Sequence, residues 1–199
     1  MKIIIVGAAG VIGRAVAHAL GKHHTVLAAG RTSGDYRVDL TDDASVTALF
    51  RETGPVDAIV SAAGNMHFGP LSQMSAAQFD IGLQDKLLGQ VRLALIGQHH
   101  LNEGGSITLT AGSVSEDPIA QGANATTVNA ALEGFVLAAA TELRGNRRIN
   151  VISPGLLTES WETYGAFFPG HETVPASRVA LAYQRSVEGV QTGRVYRVV

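Results

Sequence analysis

The sequence predicts an α/β protein: a doubly wound parallel sheet with helices on both faces, folded as a single domain over residues 1–199. Three observations lead there. The chain opens on a four-residue apolar run, residues 3–6, followed by evenly spaced glycines and a helical pattern. Short β-favouring runs then alternate with helical segments to residue 199, the pattern of parallel strands joined by crossover helices. Apolar residues make up 46% of the chain and charged ones 16%, which suits strands buried on both faces.

Residues 3–6 read as a buried strand. Gly7, Gly10 and Gly13 then lead into a helix over residues 14–20. Gly7 suits a tight turn, Gly10 lets the backbone approach a ligand with no Cβ between, and Gly13 lets the helix pack close to the strand. The helix N-terminus adds free N–H groups and the positive end of its dipole. This stretch therefore reads as a cradle for a pyrophosphate, with Gly7, Ala9, Gly10, Val11, Ile12 and Gly13 as candidate contacts.

Residues 25–29 form the second strand, which runs into Gly30, Arg31, Thr32 and Ser33. In a Rossmann-type dinucleotide fold this strand end lies beside the adenosine ribose. An acid there accepts the 2′-hydroxyl of NAD, and an arginine accommodates the 2′-phosphate of NADP. Here Arg31, Thr32 and Ser33 stand without an acid, although Asp35 is close in sequence, so NADP(H) is expected ahead of NAD(H). A solvated turn arginine is the plainer alternative for Arg31. Residues 36–40 form a third strand. Its end, Asp39 and Leu40, lies where an adenine could rest, with Asp39 accepting from the amino group or else capping the next helix with Thr41.

A helix over 41–52, a strand over 57–60 and a loop of small residues, Ser61, Ala62, Ala63 and Gly64, follow. Residues 75–100 carry one long helical pattern with Phe79, Leu83, Leu87, Val91 and Leu95 on one face. Gly82 and Gly89 within it suggest close packing against another helix, that of a partner subunit included. Residues 104–110 form the fifth strand, 122–143 a second long helix and 148–152 the sixth strand, which enters the turn Ser153-Pro154-Gly155. Residues 156–174 hold Trp161, Tyr164, Phe167 and Phe168 without a clear period and read as a substrate loop or lid. A helix over 176–188 and an edge strand over 193–199 close the chain. The carboxyl ends of such strands bring the glycine turn, Ala62 to Gly64, Thr110, Pro154 and Gly155 together at the switch point, all as candidate cofactor contacts.

The net charge of −2 leaves no electrostatic footprint for nucleic acid or an anionic membrane. There is no cysteine, so thiolate nucleophiles and thiolate metal sites are excluded. The paired histidines His23-His24 and His99-His100 have no three-ligand spacing, and no metal is expected. No apolar run is long enough to span a membrane, and the short N-terminal run does not read as a signal peptide, so a cytoplasmic protein is expected. Glycine- and alanine-rich faces on 75–100 and 122–143 predict a homo-oligomer through those helices.

These segments resemble the short-chain dehydrogenase/reductase family over nearly the whole chain. Gly7-x-x-Gly10-x-x-Gly13 is similar to the glycine motif of its atypical and extended branches, Asp39-Leu40 to its adenine-contacting pair, and Ala62-Ala63-Gly64 to the end of its Asn-Asn-Ala-Gly motif. Asn129 to Gly134 and Arg148 to Gly155 resemble the end of its catalytic helix, the sixth strand and the Pro-Gly turn. The resemblance implies an NADP(H)-dependent oxidoreductase acting on a small carbonyl or alcohol.

The family's catalytic set is Ser, Tyr and Lys, usually with an Asn from the preceding long helix. The Tyr and Lys stand one turn apart, so the ammonium lowers the phenol's pKa for proton exchange with substrate. Alignment on the Asn129 segment puts Ala125 at the Tyr position and Asn129 at the Lys position; the helix Asn falls on Lys86, and the Ser position falls nearest Gly112, with Ser113 one residue away. The phenol is missing. The remaining catalytic candidates are Lys86 as a cation at a substrate carbonyl, Ser113 as a hydroxyl, Asn129 as a partner for the nicotinamide ribose, and Tyr164 from the lid. His67 is a further candidate acid near neutral pH. Each has a plainer structural alternative. A non-catalytic NADP-binding regulator or sensor is the other reading of the whole.

Overall fold

The protein is described here by a computed structural model that covers residues 1–199. Its strands are β1 (Lys2–Val6), β2 (Thr25–Gly30), β3 (Tyr36–Arg37), β4 (Val56–Ser61), β5 (Leu101–Thr110), β6 (Arg148–Pro154) and β7 (Val195–Val198). They form one seven-stranded sheet in the order β3-β2-β1-β4-β5-β6-β7, every pair parallel. The longer helices are α1 (Val11–Leu20), α2 (Asp43–Thr53), α3 (Ala76–Gly82), α4 (Gly89–Gly97), α5 (Ala123–Glu142) and, after the four-residue α6 (Trp161–Tyr164), α7 (Ala176–Glu188). The chain winds one way from β1 to β2 and the other way to β4, so a crevice opens at the carboxyl ends of β1 and β4.

The period of two along β1 supplies both cores. Ile3 and Ile5 pack with Val16 and Leu20 of α1 and with Val179 and Tyr183 of α7. Ile4 and Val6 pack with Val46, Leu49 and Phe50 of α2, Leu93 of α4, and Val128 and Leu132 of α5. Each fully buried aliphatic side chain contributes about 1.5–3 kcal/mol of transfer free energy. That two-sided burial explains why the strands read as continuous apolar runs.

Three elements differ from their sequence expectation. The third strand keeps only Tyr36 and Arg37 in the ladder. Asp39 then turns its Oδ1 onto the N–H and hydroxyl of Thr41, at 2.9 and 2.7 Å, and this local turn replaces strand pairing. The next helix is capped by Asp42, whose Oδ1 accepts from the Ala44 N–H at 2.9 Å, and not by Asp39 with Thr41. The pattern over 75–100 is not one uniform helix. α3 starts at a reciprocal Ser75–Gln78 capping box, a π-helical segment follows over Leu83–Leu88, and α4 resumes after it. The wider turn is visible where the Gly89 N–H reaches back five residues to the Gln84 carbonyl.

Gly82 and Gly89 make close contacts inside the chain, Gly82 against another helix, α5. A Cβ at Gly82 would lie 2.3 Å from Asn124 Oδ1, and one at Gly89 would lie 3.0 Å from Leu40 Cβ. Asn124 cannot give way cheaply, because its amide accepts from the His67 N–H at 2.9 Å and donates to the Phe79 carbonyl at 2.6 Å. Gly82→Ala is therefore expected to cost about 1–3 kcal/mol by overpacking. Thermal unfolding checks this: the midpoint should drop by a few degrees and by the same amount at every protein concentration, whereas a concentration-dependent drop would point to a subunit contact.

Candidate active site

The carboxyl ends of the strands border one cleft with two hollows that share Ala63 and Gly64. The hollow at the ends of β1 and β2 has a volume of about 340 Å³. The other, about 230 Å³, lies at the ends of β4, β5 and β6 beneath the 156–174 segment.

Backbone approach shapes the first hollow. Gly7 has φ +84°, and a Cβ there would sit 2.6 Å from the Ala62 carbonyl oxygen; a Cβ on Gly13 would sit 2.0 Å from the carbonyl oxygen of Gly7. Gly10 is the N-cap of α1, with no side-chain cap and no acid in the first turn, so no side chain of the protein takes up those amides. Ala9 and Gly10 are exposed beside them, and Val11 and Ile12 begin the helix. Arg14, which the sequence reading passed over, donates to the Ala9 carbonyl and puts a positive charge next to the turn.

At the ribose end, Arg31, Thr32, Val38 and Leu40 line the hollow. Two expected residues do not. Ser33 folds back, with its carbonyl and hydroxyl against Gly30. Asp39 does not line the hollow: its Oδ1 accepts from the N–H and hydroxyl of Thr41, and those hydrogen bonds hold its carboxyl below the usual range. Asp35 is also occupied: its Oδ2 accepts from the Ala28 N–H at 3.1 Å. Asn65 and Asp85 line this hollow as well, and no sequence signal marked either.

All four catalytic candidates, Lys86, Ser113, Asn129 and Tyr164, border the second hollow, as do Ile12, Ala62, Pro154 and Gly155. Lys86 projects from the π segment and is only 6% exposed. Its Nζ donates to the Ala111 carbonyl at 3.2 Å and has no carboxylate partner. Burial alone pulls its pKa down to about 8. Gly64, at φ +126°, lies directly on the lysine stem, where a Cβ would come within 2.7 Å of the Lys86 Cα.

Asn129 is fully enclosed. Its Nδ2 faces the Met66 sulfur at 3.9 Å, and its Oδ1 has no hydrogen-bond partner at all. A buried amide oxygen without a donor, on a residue that borders the hollow, fits as an acceptor for a ligand hydroxyl. The Tyr164 ring packs against Phe68, 5.7 Å between centroids. Met66, Phe68, Leu156 and Phe168 supply much of the apolar wall; of these only Phe168 was singled out in the sequence.

Two candidates are corrected. Thr110 borders the second hollow, but its hydroxyl is taken: it donates to the Ser61 carbonyl and accepts from Tyr183, while Gln90 brackets the Thr110 backbone with two 2.8 Å bonds. Thr110 instead ties β4, β5 and α7 together. His67 borders a separate small hollow with Pro70 and Gln78, away from Lys86. Ala125 is completely buried against Val114, Leu156 and Phe168, so no hydroxyl enters from that helix position.

The cradle without Cβ atoms, the uncapped α1 N-terminus and the orphaned Asn129 Oδ1 together fit an extended dinucleotide. Residues 7–196 match the family described as Enoyl-(Acyl carrier protein) reductase. The chain belongs to the short-chain dehydrogenase/reductase family. Its members use NAD(P)H. The protein lin1944 from Listeria innocua has 45% identity and a TM-score of 0.99, with each chain covered completely. A small-chain dehydrogenase solved in complex with NADPH has 29% identity and a TM-score of 0.88, over 100% of this chain and 96% of that one. The short chain dehydrogenase claC of Passalora fulva is 31% identical over 96 residues, 46% of this chain and 36% of that protein, so the match spans about a third of that relative. No helix of this family member is long and apolar enough to cross a membrane.

The buried amine makes a stability prediction. Below pH 8 both the folded and unfolded chains carry the Lys86 proton, and the folded state bears the full desolvation cost. Between about 8 and 10.5 only the unfolded chain still holds that proton, so stability rises with pH across this window. Lys86→Met should be more stable than the natural protein at pH 7, by about 3 kcal/mol, and the gap should close by pH 10.5. Denaturant unfolding at a series of pH values measures it; a gap that does not change with pH would contradict the assignment.

Proposed function

We propose that the protein is an NADP(H)-preferring oxidoreductase that interconverts a small, largely apolar carbonyl compound and its alcohol. One observation carries the reading: a buried amine without a counter-ion, Lys86, faces an apolar hollow beside the dinucleotide cradle. Gly7 to Gly13 and the α1 N-terminus would hold the pyrophosphate, Arg31 and Thr32 the 2′-phosphate, Leu40 the adenine, and Asn129 Oδ1 a ribose hydroxyl. The NADPH complex of the 29% identical neighbour supports that cofactor. The bound nicotinamide supplies or takes up the hydride.

In reduction, the Lys86 ammonium donates a hydrogen bond to the substrate carbonyl oxygen and passes it a proton as the oxyanion develops; water then returns a proton to the neutral amine. In oxidation the neutral amine takes the alcohol's proton. Both forms of an amine with a pKa of about 8 are available near neutral pH. Ser113 hydrogen-bonds the same oxygen. Tyr164 and Phe168 of the lid cover the substrate and exclude water. The regulatory reading rests on Ala125, which gives this site no phenol.

A substrate panel with NADPH and NADP tests the proposal. Turnover should fall by about 10²–10⁴-fold in Lys86→Met, and kcat/KM for reduction should decline as pH rises through about 8. Intact NADPH binding with no turnover across the panel would favour the regulator. Arg31→Ala should weaken NADPH much more than NADH in calorimetric titration; equal weakening would contradict its role at the 2′-phosphate. The partner reading belongs here too: exposed Leu95 and Leu137, beside the groove between α4 and α5, would be buried in a homo-oligomer. Sedimentation should give a dimer or larger species at micromolar concentration, and a monomer would contradict it.

A further inference from the structure

The end of β2 lacks an acid, yet the hollow beside it contains one. Asp85 comes from the π segment, far from β2 in sequence, and lines the same space as Gly30, Arg31, Thr32 and Asn65. It is the only carboxylate doing so; Asp35 and Asp39 lie outside the lining, turned to the Ala28 and Thr41 N–H groups. Its Oδ2 accepts from Asn65 Nδ2 at 2.8 Å and pairs with Arg31 Nη2 at 3.2 Å. Both contacts fall on Oδ2, which leaves Oδ1 with no hydrogen bond. The Asp85 side chain is 18% exposed and the Arg31 side chain 57%, so the acid is the fixed member of the pair and the arginine the one free to move.

We infer that Asp85 is a specificity-determining residue that sets the balance between NADPH and NADH. This rests on the nucleotide site proposed above. With NADPH, the 2′-phosphate brings nearly two negative charges into a hollow that already holds a carboxylate. The phosphate competes with Asp85 for the Arg31 guanidinium, which holds Asp85 through Nη2 alone, and Asp85 faces that phosphate with its counter-ion shared or lost. With NADH the 2′-hydroxyl donates to the open Oδ1 of Asp85 in a charge-assisted bond, and the Arg31 pair stays intact. One acid thus opposes the first nucleotide and supports the second. Arg31 favours NADPH, Asp85 moderates the preference, and the natural protein accepts both nucleotides with a modest bias.

Calorimetric titration of the natural protein, Asp85→Asn and Asp85→Ser with NADPH and NADH tests this. Asn keeps the shape and the bond from Asn65 but removes the charge; Ser guards against an effect particular to the amide. The Kd ratio of NADH to NADPH is expected to rise about tenfold in both variants, since a like-charge contact over a few ångströms at an effective dielectric of about 20 exceeds that factor. NADPH should tighten and NADH should not. Binding of both nucleotides with a ratio unchanged within twofold, or shifted toward NADH, would overturn the role of Asp85 and leave the nucleotide site standing. Binding of neither nucleotide at millimolar concentration by the natural protein would overturn the nucleotide site and this inference together.

Discussion

No Cβ separates the loops at the carboxyl ends of β1 and β4. Gly7 meets the Ala62 carbonyl, Gly13 meets the carbonyl of Gly7, and Gly64 meets the stem of Lys86, each at a distance that a side chain would occupy. These three approaches fix the cleft. They bring the α1 N-terminus onto the sheet, hold the two hollows against a shared wall and press the π segment into the crevice. An alanine at any of them would push apart backbone, and at Gly64 it would press on the stem of the catalytic candidate as well. The rigidity of the two-sided core makes the close fit possible, because neither layer of helices can swing away to relieve it.

The π segment over Leu83–Leu88 connects the two ends of the cleft. Adjacent residues on a helix diverge by roughly a quarter turn. Asp85 therefore reaches the adenosine end while Lys86 reaches the substrate end. The Lys86 placement costs stability. Lys86 is enclosed with no acid beside it, and Asp85 lies in a hollow with an oxygen left open. A buried amine that the fold leaves without a counter-ion, as at Lys86, is the kind of group found where chemistry or binding requires it.

Much of this was legible in the sequence because the signals are local. The glycine spacing, the alternation of apolar runs with helices, and the Pro154-Gly155 turn each depend on a few neighbouring residues, and all appear where expected. The family alignment, likewise local, put Lys86 and Asn129 at the site. What was missed depends on contacts across the chain. Thr110 looked like a free hydroxyl until Tyr183, 73 residues later, closed on it. Asp39 read as the end of a strand beside the adenine, but the turn with Thr41 ends the strand at Arg37 and leaves Asp39 outside the lining of the hollow. The glycines of the long helix suggested close packing against another helix; Gly82 does meet Asn124 of α5, while Gly89 meets Leu40, just after β3, which no local signal pointed to. Asp85 carried no signal, since only the π turn aims it at Arg31.

The central claim is that Lys86 is a buried amine poised near neutrality in the substrate hollow. The chain has only three lysines, Lys2, Lys22 and Lys86, so a pH titration of ¹³Cε-labelled lysine followed by NMR resolves it, with Lys86→Arg to assign the signal. One resonance should titrate near pH 8 and vanish in the variant. Three resonances that all titrate above pH 10 would mean the amine is solvated, and the proton-transfer role of Lys86 would fall.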